Sequence, residues 1–167
     1  MRTAFFLFLL ILREGSTHAQ GVNLGNPPVA NFPKAVFQAG TQTWDISQDD
    51  RGVMWFGNND GLLEFDGTHW RLYPLDNGTI VRSVQAGRDG HVFVGGQGDF
   101  GYFAPDGRGK PVYHSLGARL PKTEQHFSDV WDIQISAEGV FFRTDRQAFR
   151  YHDGQLSALF PGGRSLM

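Results

Sequence analysis

Three groups of residues in this chain could do chemistry: paired carboxylates, histidines, and polar side chains beside glycine-rich turns. Asp49-Asp50 and Asp129/Asp132 are carboxylate pairs of the kind that glycoside hydrolysis or calcium binding would use. Asp49-Asp50 sits in Gln-Asp-Asp-Arg-Gly, where turn chemistry accounts for it and the other ligands of a calcium loop are missing. The histidines are His18, His69, His91, His114, His126 and His152. They form neither H-x-H nor H-E-x-x-H, so no metal site is expected. No G-x-S-x-G occurs, and no Ser/His/Asp arrangement shows by spacing. Gly96 to Gly101 matches G-x-G-x-x-G, but the run continues as Phe100-Gly-Tyr-Phe103, a strand pattern. No helix follows to receive a pyrophosphate, and the segment reads as an inter-strand loop. The absence of Cys excludes a disulfide framework, a thiolate zinc site and thiol catalysis. No catalytic residue, cofactor or metal is expected, and the chain reads as a non-enzyme.

What, then, do the elements position? The chain has 167 residues, with 15 basic against 17 acidic side chains. That balance argues against electrostatic nucleic-acid binding. It carries 22 Gly, with 40% apolar and 14% aromatic residues. High glycine with high aromatic content suits short strands joined by tight turns, an all-β pattern.

The first segment reads as an address. Arg2 is followed by the apolar run Ala4 to Leu12, and Thr17-His18-Ala19 offers a small-residue cleavage site. The run is too short for a membrane span and fits a signal-peptide core over 1–19. Export to the periplasm or the extracellular space is expected. Residues 20–40 form a lead-in.

The remainder repeats. Ile46…Gly52…Trp55, Val84…Gly90…Phe93 and Ile133…Gly139…Phe142 each place a β-branched residue six before a glycine and an aromatic three after it. Each segment reads as strand, turn, strand, and further turns at Asn59-Asp60-Gly61, Asp66-Gly67 and Asp153-Gly154 add strands. The glycine spacings of 38 and 49 residues suit four-stranded propeller blades. The predicted organisation is blade 1 over 41–79, blade 2 over 80–114, and a linker with an incomplete blade 3 over 115–167.

ISQDDRGVMWFGNNDGLLEFDG resembles the two-component-regulator propeller repeat, I-x-x-D-x-x-G-x-x-W-x-G-T/N-x-x-G-L-x-x-F/Y. IVRSVQAGRDGHVFVGGQGDFGYFAPD and FSDVWDIQISAEGVFFRT resemble later blades of bacterial periplasmic sensor propellers, which often carry a triple-tyrosine domain. The resemblance spans about Asn23 to Gly154. It implies a partial β-propeller, about three four-stranded antiparallel blades of a seven-bladed ring. It also implies a non-catalytic ligand-sensing segment of an exported or transmembrane regulator, with a kinase or DNA-binding output. On that reading the missing blades of the parent protein are partners, and membrane attachment comes only through absent C-terminal parts. The alternatives are a secreted carbohydrate-binding or hydrolytic propeller and a non-functional truncated product. An arc of three blades is expected to expose apolar faces at both ends.

By analogy with other propellers, the lead-in to the first strand and the loop between the second and third strands form a ligand face at the channel mouth. Blade 1 offers Thr41, Gln42, Asn58, Asn59 and Asp60. Blade 2 offers Arg82, Gln97 and Asp99. Blade 3 offers His126, Asp129, Arg143, Thr144 and Asp145. This polar, amide-rich set suits a polar small molecule or oligosaccharide. Trp44, Trp55, Trp70 and Trp131 could stack on sugars, but an inter-blade core role is expected for Trp55, and one shared structural role for Trp44 and Trp131.

Overall fold

The computed structural model describes residue 25 and residues 29–159. The signal peptide expected over 1–19 lies outside them. All the strands belong to the unit Phe32–Met167. Blade 1 comprises β1 (Thr43–Gln48), β2 (Met54–Asn58), β3 (Gly61–Phe65) and β4 (Trp70–Tyr73). Blade 2 comprises β5 (Val81–Ala86), β6 (Val92–Gly96), β7 (Phe100–Pro105) and β8 (Pro111–Ser115). Blade 3 comprises β9 (Asp132–Ser136), β10 (Gly139–Arg143), β11 (Ala148–His152) and β12 (Gln155–Ala158). Each sheet is an antiparallel meander in chain order. The all-β, partial-propeller expectation holds. The third blade is not incomplete as expected: its fourth strand is the short, polar Gln-Leu-Ser-Ala segment, a weak strand signal.

Aspartates build the turns. Asp66 accepts the backbone N–H groups of Thr68 and His69, and Asp106 accepts those of Arg108 and Lys110. Asp49 accepts those of Arg51 and Val53 and, through its other oxygen, the indole N–H of Trp55. These are Asx turns, so the local sequence suffices to place them. The backbone donors of His69 and Thr68 hold the Asp66 carboxyl at about 2.

One hairpin departs from the repeat. Ile46 pairs with Phe56 and Val84 with Val94, ten residues on, but Ile133 pairs with Phe142, nine on. The third hairpin turns between Ser136 and Gly139 and is one residue shorter. A one-residue difference swaps the two faces of a strand. Phe142 therefore does not correspond to Trp55 and Phe93, as the glycine alignment implied. It packs back on blade 2, while Phe141 takes the place of Trp55 and Phe93.

Two apolar seams hold the arc. Trp55, Leu62, Val81, Val94 and Phe103 are buried between blades 1 and 2. Phe93, Phe100, Val130, Phe142 and Phe149 are buried between blades 2 and 3. Phe100 lies 4.7 Å from Phe142 and 4.9 Å from Phe149 by ring centroid. Such aromatic pairs add about 0.5–1.5 kcal/mol each beyond area burial. Side chains also cross the first seam: Val84 N donates to Asp45 Oδ2 and Ala86 N to Ser47 Oγ, at 2.9 and 3.0 Å. The edge amides of β5 are thereby satisfied without a fifth strand.

The expectation of a bare apolar end fails at blade 1. Phe32 and Phe37, on and beside the short helix α1 (Lys34–Phe37), pack against Trp70 at 5.3 and 5.8 Å, and Trp70 stacks on Phe65 at 4.4 Å. This aromatic clasp covers the outer face of blade 1. The outward face of blade 3 carries Phe141 among Gln134, Arg143 and Arg150.

Candidate functional site at the channel mouth

The innermost strands are β1, β5 and β9. β1 carries a bulge between Thr43 and Asp45, and β5 carries one between Val81 and Ser83. The extra residues are Trp44 and Arg82. A bulge leaves its extra residue outside the ladder and re-aims its side chain. Trp131 occupies the matching place just before β9, its backbone N–H donating to the Arg143 carbonyl. The three side chains converge. The Arg82 guanidinium carbon lies 3.9 Å from the Trp44 ring centroid and 5.2 Å from that of Trp131. The two indoles meet edge to face at 6.4 Å.

Polar groups surround this cluster. Trp44 Nε1 donates to Asn59 Oδ1 at 2.7 Å, and Asn59 Nδ2 donates to Gln42 Oε1 at 2.9 Å. Arg82 Nε lies 3.5 Å from Asp129 Oδ1, beyond a well-formed hydrogen bond. Arg82 Nε and Nη1 and Asp129 Oδ1 are buried and make no hydrogen bond. Buried polar atoms without a hydrogen bond are costly, and a ligand hydroxyl or carboxylate would complete them. Trp44 and Trp131 remain 42% and 44% exposed, which leaves ring surface available for stacking.

The structure thus brings Gln42, Asn59, Arg82 and Asp129 together, with Gln97 bridged to Asp129 across the loop. Thr41 and Asp60 are exposed beside them. Asn58 is fully buried: it donates to the Gly40 carbonyl and accepts from Asp60 N, so it fixes the lead-in and the turn. Asp99 accepts from Phe100 N, Ser115 Oγ and Tyr113 OH. Burial raises its carboxyl, and it ties β7 to β8. His126, Thr144 and Asp145 line a separate cavity of about 640 Å³ with Ser128 and Arg146. Thr144 is itself buried as a turn cap for Arg146 and Gln147. Arg143 pairs with Asp132 at 3.6 Å on the outward face of blade 3.

Sequence reasoning gave Trp44 and Trp131 a structural role. A signal for more existed: Trp44, Arg82 and Trp131 each stand two residues before the repeat's β-branched residue.

Successive antiparallel meanders around a common inner edge define an open arc of a β-propeller. The fold is similar to part of two solved structures, both extracellular domains of BT4673 from B. thetaiotaomicron. One is described as a putative one component system and the other as a putative hybrid two component system. The TM-scores are 0.53 and 0.54, at 17% and 16% identity over 74% and 75% of this chain. The chain spans 16% and 17% of the length of those two chains. No protein-family model and no curated protein matches the chain.

Proposed function

We propose that this chain is a non-catalytic, ligand-sensing propeller segment of an exported or transmembrane bacterial regulator. Its ligand is a polar small molecule or an oligosaccharide bound at the channel mouth. The observation that carries the reading is the convergence of Trp44, Arg82 and Trp131 from three blades, with buried Arg82 and Asp129 atoms that make no hydrogen bond. Indole faces stack on the C–H face of a ring, while the amides of Asn59 and Gln42 and the Arg82–Asp129 pair address its hydroxyl or carboxylate groups. The likeness to extracellular domains of a regulator supports the sensing role and an exported location. In the parent protein, a ligand favouring one arrangement of the blades would shift a population coupled across the membrane.

The test is tryptophan fluorescence and calorimetry of the exported protein against a panel of neutral and acidic oligosaccharides and small polar metabolites. A panel member should bind. Trp44→Ala and Arg82→Ala should each weaken it by at least about tenfold, the scale of one lost stacking or charge-assisted contact. Unchanged affinity in both variants would remove the channel mouth as the site.

A further inference from the structure

The two seams differ at the end of the strands opposite the candidate site. Trp55 on β2 and Phe93 on β6 hold the same place, each facing the next blade. The Trp55 indole fills its seam and reaches Asp49 Oδ2 with its N–H at 3.3 Å. Phe93 is smaller and has no such donor. The facing innermost strands differ too. Ala86 of β5 pairs with Val92, and Ile135 of β9 pairs with Val140, so the two hold matched positions. Ala86 is half-buried against the core of the first seam, with its N–H held by Ser47 Oγ. Ile135 is larger, yet 42% exposed. The hairpin beyond it is the short one: residues 136–139 separate Ile135 from Val140, where residues 87–91 separate Ala86 from Val92.

The smaller aromatic and the shorter turn leave a cleft of about 630 Å³ between blades 2 and 3. Sites for small molecules span about 300–1,000 Å³. Phe93, Ile135, Ala137 and Val140 form an apolar wall. An apolar ligand seated there would take the open face of Ile135 out of water. Two charged residues stand on the rim, Arg88 and Asp89. Asp89 is already engaged: its Oδ1 accepts the His91 N–H at 3.1 Å, and its Oδ2 lies 2.6 Å from His91 Nδ1. Arg88 is exposed and has no ion-pair partner among the described residues. The free charge at the cleft is therefore positive, which favours an anionic group beside the apolar wall.

We propose that this cleft binds a small amphipathic anion, its apolar body against Phe93, Ile135 and Val140 and its charged end at Arg88. The inference rests on the seam between blades 2 and 3 and is independent of the ligand reading above.

The test titrates the full chain with 1-anilinonaphthalene-8-sulfonate and with N-phenyl-1-naphthylamine, the same rings without the sulfonate. Probe fluorescence is the readout. The sulfonate should bind once per chain, and at least about threefold more tightly than the neutral probe, the scale of one exposed ion pair. Arg88→Gln should erase that preference. Ile135→Gln should weaken both probes by at least about threefold, because it removes apolar contact area. Trp44→Ala, at the other end of the strands, should leave both affinities within about twofold. No binding of the sulfonate would overturn the proposal, and so would equal affinity for the two probes. Binding untouched by Arg88→Gln and Ile135→Gln, or lost in Trp44→Ala, would overturn it as well. Near-ultraviolet circular dichroism checks the fold of each variant. Arg88→Gln, in an exposed turn, carries the comparison if Ile135→Gln unfolds.

Discussion

Gly95→Ala tests the close approach between blades most directly. An added Cβ would lie 2.6 Å from Val130 Cγ1 and 2.8 Å from Val130 Cβ, and it would also press on Ser83 Oγ. None of these atoms can retreat easily. Val130 is fully buried in the seam, and Ser83 Oγ donates to the Val130 carbonyl at 2.8 Å. Overpacking of this kind costs about 1–3 kcal/mol. Losing the Ser83 hydrogen bond adds about 1 kcal/mol. The sum is about 2–4 kcal/mol, which for a chain of this size lowers the melting temperature by roughly 4–16 °C. The reference is Gly107→Ala, where a Cβ meets open space, with an expected change within about 0.5 kcal/mol. Thermal and urea unfolding followed by circular dichroism and tryptophan fluorescence measure both variants. If Gly95→Ala melts with Gly107→Ala, the seam is looser than described and the reasoning fails.

Asp45→Ala should destabilise by about 1–2 kcal/mol in urea unfolding, because the Val84 amide loses its acceptor across the seam. Asp66→Asn should flatten the acid limb of stability. A carboxyl lowered from 3.8 to about 2 contributes stability above 3.8 that is lost as pH falls towards 2, and urea midpoints across that window check it. Tyr113→Phe should cost about 1–3 kcal/mol, since it removes a donor from the partly buried Asp99 carboxylate. The raised Asp99 carboxyl adds stability at low pH that fades as pH climbs through its folded value, so the Tyr113→Phe deficit should shrink in acid.

By itself, the sequence determined the blades. Alternating strands and Asp-bearing turns are local, since each side chain acts on a backbone within a few residues, as Asp49, Asp66 and Asp106 do. Glycine spacing then separated blade from blade. The candidate site was legible only in part. Gln42, Asn59, Arg82 and Asp129 were readable as loop residues at one end, but Asn58 and Asp99 proved to be struts for neighbouring backbone. The tertiary structure alone decided which residues meet. Contacts across the seams join residues 39 and 47 positions apart, and their geometry depends on the angle between packed sheets, which no local pattern encodes. It decided that two bulges turn Trp44 and Arg82 towards Trp131. It decided that a hairpin shorter by one residue sends Phe142 inward, because a strand's two faces alternate with every residue. It also placed Arg143 where the first two blades keep glycine, a match that appears only once the strands are paired.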